Sequence, residues 1–359
     1  MRQKLSVGLV GHFAYLAEMV KKVLLSVFVL LLALALVYYD LLSYGLRQAT
    51  GQLNIIWRAR PISEVLADEQ FPDSLKRKLI LVDAIRQFAI DSLGLKDTKN
   101  YRTVYDQQGK EIMWVVTACE PFMLVEKQWE FPVLGMVPYK GYFNKELALK
   151  EQTELEKAGW DVNIRNPGGW STLGWFTDPI LSKMLERSEG DLASLIIHEM
   201  AHATIFVKDS VDFNENLASF IGDRGAEQFL MCYFGKDSQE YQQFMREDEE
   251  FNAYANHMLR GFDYLDSLYK AIQQFPPEKK LELKNLAIGR IIRASDTLNL
   301  STLNKPAELY KNRLPNNAYF MSFKRYRSRQ NDFWEEWRNE FNSDLKNYIS
   351  HFANTYPFL

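Results

Sequence analysis

The stretch 192–206 (LASLIIHEMAHATIF) is apolar except at its centre, where His198-Glu199-Met200-Ala201-His202 forms an HExxH. Read as a helix, the i, i+4 spacing stacks both imidazoles one turn apart on one face, where two ring nitrogens can hold one divalent metal ion. Glu199 is turned about 100° from His198. That puts its carboxylate beside a metal rather than on it, the place for a general base acting on activated water. Three ionisable groups on so apolar a helix would be costly to bury without a metal. The remaining histidines, His12, His257 and His351, have no i+4 partner and read as ordinary surface or satisfied residues.

A catalytic zinc needs a third protein ligand and an open fourth position for water. Glu215, in DFNENLASF (212–220), is the candidate. The short linker 207–211 predicts a second helix running back antiparallel in an αα-hairpin, bringing Glu215 level with His202. The expected cofactor is one Zn2+ per chain on His198, His202 and Glu215, with Glu199 as catalytic base. A second reading stays open: Asp212-x-x-Glu215 is also a capping box for that helix. Asp223 and Glu227 stand in reserve as carboxylate ligands, and Ser219, one turn beyond Glu215, is placed to support it. Asp191 is the predicted cap of the first helix.

The elements that carry these residues read as α+β: a small mixed or antiparallel sheet, a zinc-binding hairpin and a mainly helical C-terminal half. Residues 63–92 carry apolar positions at helical spacing on both sides of Pro72. Between 100 and 143, TVY, IMWVVTA and FMLVEKQWEF predict strands, with Gln107-Gln108-Gly109 as a turn and Pro132, Gly135, Pro138 and Gly141 marking a loop. A helix is predicted over 145–159, then short strands at 162–164 and 171–176 around Asn166-Pro167-Gly168-Gly169. Ser171 to Phe176 is either an edge strand able to pair with an extended peptide or an ordinary half-buried strand. Beyond Pro179 nearly everything reads as helical. Arg246-Glu247-Asp248-Glu249-Glu250 reads as a solvated face. Asn316-Asn317-Ala318 starts a helix that returns Tyr326 to the cleft, where a phenol can donate to an oxyanion.

The N-terminus predicts a membrane anchor. Residues 23–39 (VLLSVFVLLLALALVYY) are uncharged and follow Lys21-Lys22, with Tyr38 and Tyr39 where an aromatic belt would sit. About twenty residues precede the run and no small-residue cleavage site follows it, which favours a single span over a signal peptide. The expected domains are 1–22, the anchor 23–39 and a body over 40–359, α+β to about 190 and helical from about 191. Lys21 and Lys22 abut the run, whereas Arg47, Arg58 and Arg60 are spread beyond it, so the body is expected outside. Composition closes off other classes. With 47% hydrophobic and 25% charged residues the 359-residue chain is not disordered, and a net charge of −3 suggests no nucleic-acid partner. Cys119 and Cys232 are too few for a disulfide scaffold, and whether they pair stays open.

HEMAH followed by NENLASFIG resembles the gluzincin metallopeptidases, whose second zinc helix carries N-E-x-x-A. The spacer is shorter than in thermolysin-like enzymes. The nearer resemblance is to the bacterial family described as putative zinc-dependent aminopeptidases, usually membrane-attached lipoproteins. It runs through YYDLLSYGLRQATGQLNIIWRARPI (38–62), WEFPVLGMVPYKGYF (129–143), STLGWFTDPIL (171–181), HEMAHATIFVKDSVDFNENLASFIGDRGA (198–226) and NNAYFMSFKRY (316–326), most of the chain from Tyr38 onward. The resemblance implies a zinc peptidase acting on peptide or protein substrates, and for a bacterial chain the periplasmic side of the inner membrane. The lipid-attachment cysteine is absent and the apolar run replaces it. The G-x-M-E-N segment by which other zinc aminopeptidases hold the free amine is also absent, leaving Glu120 as the candidate there. The competing class is an anchored binding or scaffold protein whose metal is structural or absent.

Overall fold

A computed structural model describes residues 2–131, 135–169, 177–302 and 306–357. The chain divides into two units, Met1–Asn54 and Ile55–Leu359. The first unit is helical: Arg2–Val37, a turn at Tyr38, then a helix Tyr39–Arg58 that continues past the boundary. Within the first of these, Glu18–Val37 is long and apolar enough to cross a membrane, with mean hydropathy 2.5 and none of it buried.

After the end of that helix and the short strand Arg60–Pro61, the second unit carries two helices, Ile62–Ala67 and Asp73–Asp91, separated at Pro72 because proline cannot continue a helix but can precede one. Asp73–Asp91 buries Leu79, Val82, Ile85 and Ala89 in the main core, shared with Leu192, Ile196 and Ile197 of the HExxH helix. Trp114–Cys119 is the middle strand of an antiparallel sheet, between Lys140–Tyr142 and Asp161–Arg165. Thr103–Tyr105 pairs antiparallel with Arg60–Pro61 and parallel with Ile180–Leu181. Trp129–Phe131 and Gly135–Val137 make a two-stranded ladder. Among the described residues the strands therefore form three small pieces. Strands at Gly135–Val137 and Lys140–Tyr142 also replace the loop expected there. Pro138 falls between them, where no ladder donor is needed, and Gly135 has a left-handed φ of 71°, which glycine adopts without strain. The expected strand at 171–176 lies outside the described residues.

The helical half is built on a hairpin of Glu189–His202 and Val211–Tyr233. Its first helix is capped by Ser188, whose hydroxyl accepts from the Asp191 N–H at 3.2 Å, and not by Asp191 as the sequence suggested. Asp191 instead sits in the first turn, where a carboxylate favours the positive helix end, and pairs with Arg187. Aromatic rings fasten the second helix to the C-terminal helices. Phe220 packs edge-on against Trp337 and Tyr348, at 5.8 and 5.7 Å between centroids. The charged run 246–250 lies on the helix Gln239–Ala271, but it is only partly solvated. Arg246 and Glu249 are exposed, whereas Asp248 pairs with buried Arg224 at 2.6 Å and Glu250 accepts from Ser301 and Thr302. A like-charged run cannot show in advance which of its members have partners.

Candidate metal centre

His202 is the last residue of its helix and Glu215 lies in the second turn of the next, joined by residues 203–210. The first helix ends sooner than its apolar pattern suggests, at the αR cap Ala203, yet the hairpin still brings the three side chains together. His198 Nε2 and His202 Nε2 are 3.1 Å apart, and Glu215 Oε2 lies 3.5 and 3.6 Å from them. Their three ligand atoms fall within 4.8 Å of one another. Burial opposes ionisation of Glu215, but the adjoining imidazoles outweigh it and hold the carboxyl far below its ordinary range. Burial likewise works against protonated His202, and the charge and hydrogen bond of Glu215 overturn it, so its pKa rises.

Two features of the sequence fix this arrangement. Gly222 lets the helices touch: a Cβ there would lie 2.7 Å from Ser194 O and 3.1 Å from His198 Cβ. The asparagines flanking Glu215 tie its helix on both sides. Asn214 Oδ1 accepts from the Val207 N–H at 2.9 Å, and its Nδ2 donates to Val207 O at 2.8 Å, closing the hairpin loop. Asn216, fully buried, donates to Arg325 O at 2.6 Å and accepts from the Arg329 N–H at 2.9 Å. The capping box is not formed. Ser210 occupies the cap position without a side-chain hydrogen bond, and Glu215 faces the imidazoles instead. The reserve carboxylates are engaged elsewhere: Asp223 accepts from Ser194 and Arg327, and Glu227 pairs with Arg224. Ser219 is buried, and no hydrogen bond joins it to Glu215 among the described residues.

Glu199 is packed under Gly169, where a Cβ would collide with its carboxylate and lie 2.8 Å from Leu195 Cδ1. The Asn166–Gly169 turn is thus more than a break between strands: its backbone covers the helix beside the HExxH. Neither glycine of the pair has positive φ, so the demand at Gly169 is for space. Tyr326 lies on the helix Asn317–Arg327, beginning at the Asn316 cap as predicted. Burial raises its pKa, with the Glu215 charge adding and the guanidinium groups of Arg165 and Arg325 partly offsetting. The Glu215 carboxylate therefore bears on this phenol. It bears on Tyr139 as well, which burial and that same charge push up to about 12. Tyr139 was not foreseen, although it stands within the segment 129–143. One tyrosine among eighteen carries no periodic signal.

The other candidates lie elsewhere. Glu120 sits in the turn after Trp114–Cys119, its carbonyl oxygen held by Asn317 Nδ2 at 2.8 Å, and is not part of the cluster. His257 Nε2 lies 2.8 Å from Ile291 O, and His351 packs on Phe341 and Phe352. Cys119 and Cys232 are both free, one buried and one exposed.

Fold and site together define an α+β protein with a metal-competent His-His-Glu cluster on a helical hairpin. Residues 43–355 match the family model described as "Putative aminopeptidase", and the chain belongs to that family. Membership supports a peptidase hydrolase with a peptide substrate. No curated protein and no solved structure matches the chain.

Proposed function

We propose that this protein is a membrane-anchored zinc metallopeptidase, with His198, His202 and Glu215 holding the metal, Glu199 as the base and Tyr326 as an oxyanion donor. The observation that carries this reading is the size of the donor triangle. Ligands about 2.0–2.2 Å from a tetrahedral zinc are separated by about 3.3–3.6 Å. The two carboxylate–imidazole separations, 3.5 and 3.6 Å, fall in that range and the imidazole pair at 3.1 Å is slightly closer, so the donor set suits the ion once the rings open a little. Zinc held by these three residues would supply Lewis acidity, making water more acidic and polarising the scissile carbonyl. Glu199 takes the proton of the attacking water on its carboxylate and passes it to the leaving amine. The Tyr326 hydroxyl, a phenol that is protonated at neutral pH, donates to the oxyanion. Among the described residues the cluster offers three ligands and not four, which favours catalysis over a structural metal.

The helix Glu18–Val37 is the proposed anchor, with the catalytic body on the extracytoplasmic side because Lys21 and Lys22 stand at its N-terminal end. An aminopeptidase is the form of the activity that the family description favours. The test is elemental analysis of purified full chain, wild type and Glu199→Gln, beside hydrolysis of a fluorogenic aminoacyl-amide panel. Glu199→Gln is expected to keep wild-type zinc and lose at least ~10²-fold in kcat. Hydrolysis at the wild-type rate in that variant, after removal of contaminating peptidases, sinks the mechanism.

A further inference from the structure

We propose that Arg165 is a positioning residue that aims the Tyr326 hydroxyl at the reaction centre. The inference rests on the oxyanion role given to Tyr326. Arg165 Nη2 stands 3.0 Å from Tyr326 Oη, and its guanidinium carbon lies 5.5 Å from the centre of the same ring. Guanidinium has donors only, so the phenol oxygen must be the acceptor in this contact. One acceptor lobe of the oxygen is thereby filled, and the phenol's own hydrogen is turned away from the cation. A charged donor on that oxygen also polarises the O–H and strengthens the hydrogen bond it gives.

Both residues are held by the fold. Arg165 ends the strand Asp161–Arg165, its backbone paired with Val115 of the central strand. Tyr326 is fixed at its backbone end: Gln330 Nε2 donates to Tyr326 O at 3.2 Å and to Asn216 O at 2.9 Å. Asn216 stands next to Glu215 in the chain, so the turn carrying the phenol is fastened to the helix carrying the acidic candidate ligand. The phenol is thus referenced to the sheet at its oxygen and to the helical hairpin at its backbone.

The test is a double-mutant cycle in full-length, zinc-loaded protein with Tyr326→Phe, Arg165→Met and the pair, and Arg165→Lys as the conservative variant. Tyr326→Phe is expected to lower kcat by about 10²-fold, the usual loss for one oxyanion donor. Arg165→Met should lower kcat about tenfold with KM within about twofold of wild type, and Arg165→Lys should restore part of it. In the Tyr326→Phe background, Arg165→Met should change kcat by no more than about twofold, because its effect passes through the phenol. A second readout needs no activity: in zinc-free full chain labelled with [13Cζ]tyrosine, the resonance absent from Tyr326→Phe should shift in Arg165→Met. Losses that multiply across the cycle, or a large rise in KM, would mean that Arg165 meets the substrate directly, and an unmoved resonance would mean that it does not orient the phenol. Each overturns the proposal while leaving Tyr326 in place. Wild-type kcat in Tyr326→Phe removes the oxyanion reading itself, and the proposal with it.

Discussion

Gly222→Ala should weaken zinc binding without altering any candidate ligand. The added Cβ would meet Ser194 O at 2.7 Å and His198 Cβ at 3.1 Å. The first of these is backbone and cannot rotate away, so the two helices must part by about 0.7 Å to reach ordinary contact at 3.4 Å. Metal-ligand distances tolerate only about ±0.2 Å. His198 and Glu215 sit on opposite sides of that seam, so the donor triangle opens when the helices move. The expected loss in zinc affinity is about 10–100-fold, comparable to losing a group that orients a ligand. Stability is a poorer guide. Overpacking costs about 1–3 kcal/mol, but alanine in a helix interior recovers about 1 kcal/mol over glycine. Gly289→Ala is the control, in the interior of the helix Pro277–Ala294, where a Cβ meets only the guanidinium end of Arg293, at 3.2 Å. That flexible end can turn aside, so zinc affinity should hold. The assay is competition with a chromophoric chelator in full-length protein, with melting in excess chelator to track the apo fold. Wild-type affinity in Gly222→Ala would refute the claim that this contact sets the site.

Glu215→Gln should sharply lower zinc stoichiometry and activity while the chelated protein melts near wild type; wild-type zinc content would remove Glu215 from the site. Glu250 gives a pH signature: burial opposes its charge, but bonds from Ser301 and Thr302 outweigh it and depress its pKa to about 2. A depressed carboxyl contributes stability that is present above its unfolded pKa and lost as pH falls through the folded one. Between about pH 5 and 2 the melting temperature of Glu250→Gln should therefore fall less steeply than that of wild type, and parallel curves would rule the contribution out. A reporter fused to the C-terminus should report the extracytoplasmic side, and a cytoplasmic signal would reverse the assigned orientation.

What could be read from sequence followed from how local the cause was. The HExxH spacing is a property of one helix, and the short linker forces the next helix back, so the grouping of His198, His202 and Glu215 was legible before any coordinates. The helix ends were not. Ala203 stops the first helix four residues before its apolar pattern runs out, because the chain must turn for Asn214 to grip Val207. Ser188 takes the cap from Asp191 for an equally local reason, one turn earlier than the apolar run shows. Long-range polar contacts left less trace still. The Arg165–Tyr326 bond joins residues 161 positions apart, and Asn216 reaches the backbone of Arg325 across 109. Gly168-Gly169 was visible as a turn, but the close approach of Gly169 to Glu199 was not. A glycine chosen for space looks the same in sequence as one chosen for φ.

The flanking asparagines also bear on which class of metal site this would be. In a structural zinc site the ion supplies the folding energy, and the ligands lose their arrangement when it is removed. Here the helix that carries Glu215 is held by hydrogen bonds from Asn214 to Val207 and from Asn216 to Arg325 and Arg329, while the Glu215 carboxylate itself is attracted to the two imidazoles. The histidine helix buries Ile196, Ile197 and Met200 in a core that extends well past the site. Gly222 sets the spacing between the helices by backbone contact. Apolar packing and amide hydrogen bonds therefore hold the two helices, and the attraction between Glu215 and the imidazoles adds to them at the triangle itself. Helices packed into a core of their own do not need a metal to complete the fold, and three candidate ligands among the described residues would leave a fourth position for water or substrate, which is the physical ground for the proposed peptidase over a scaffold.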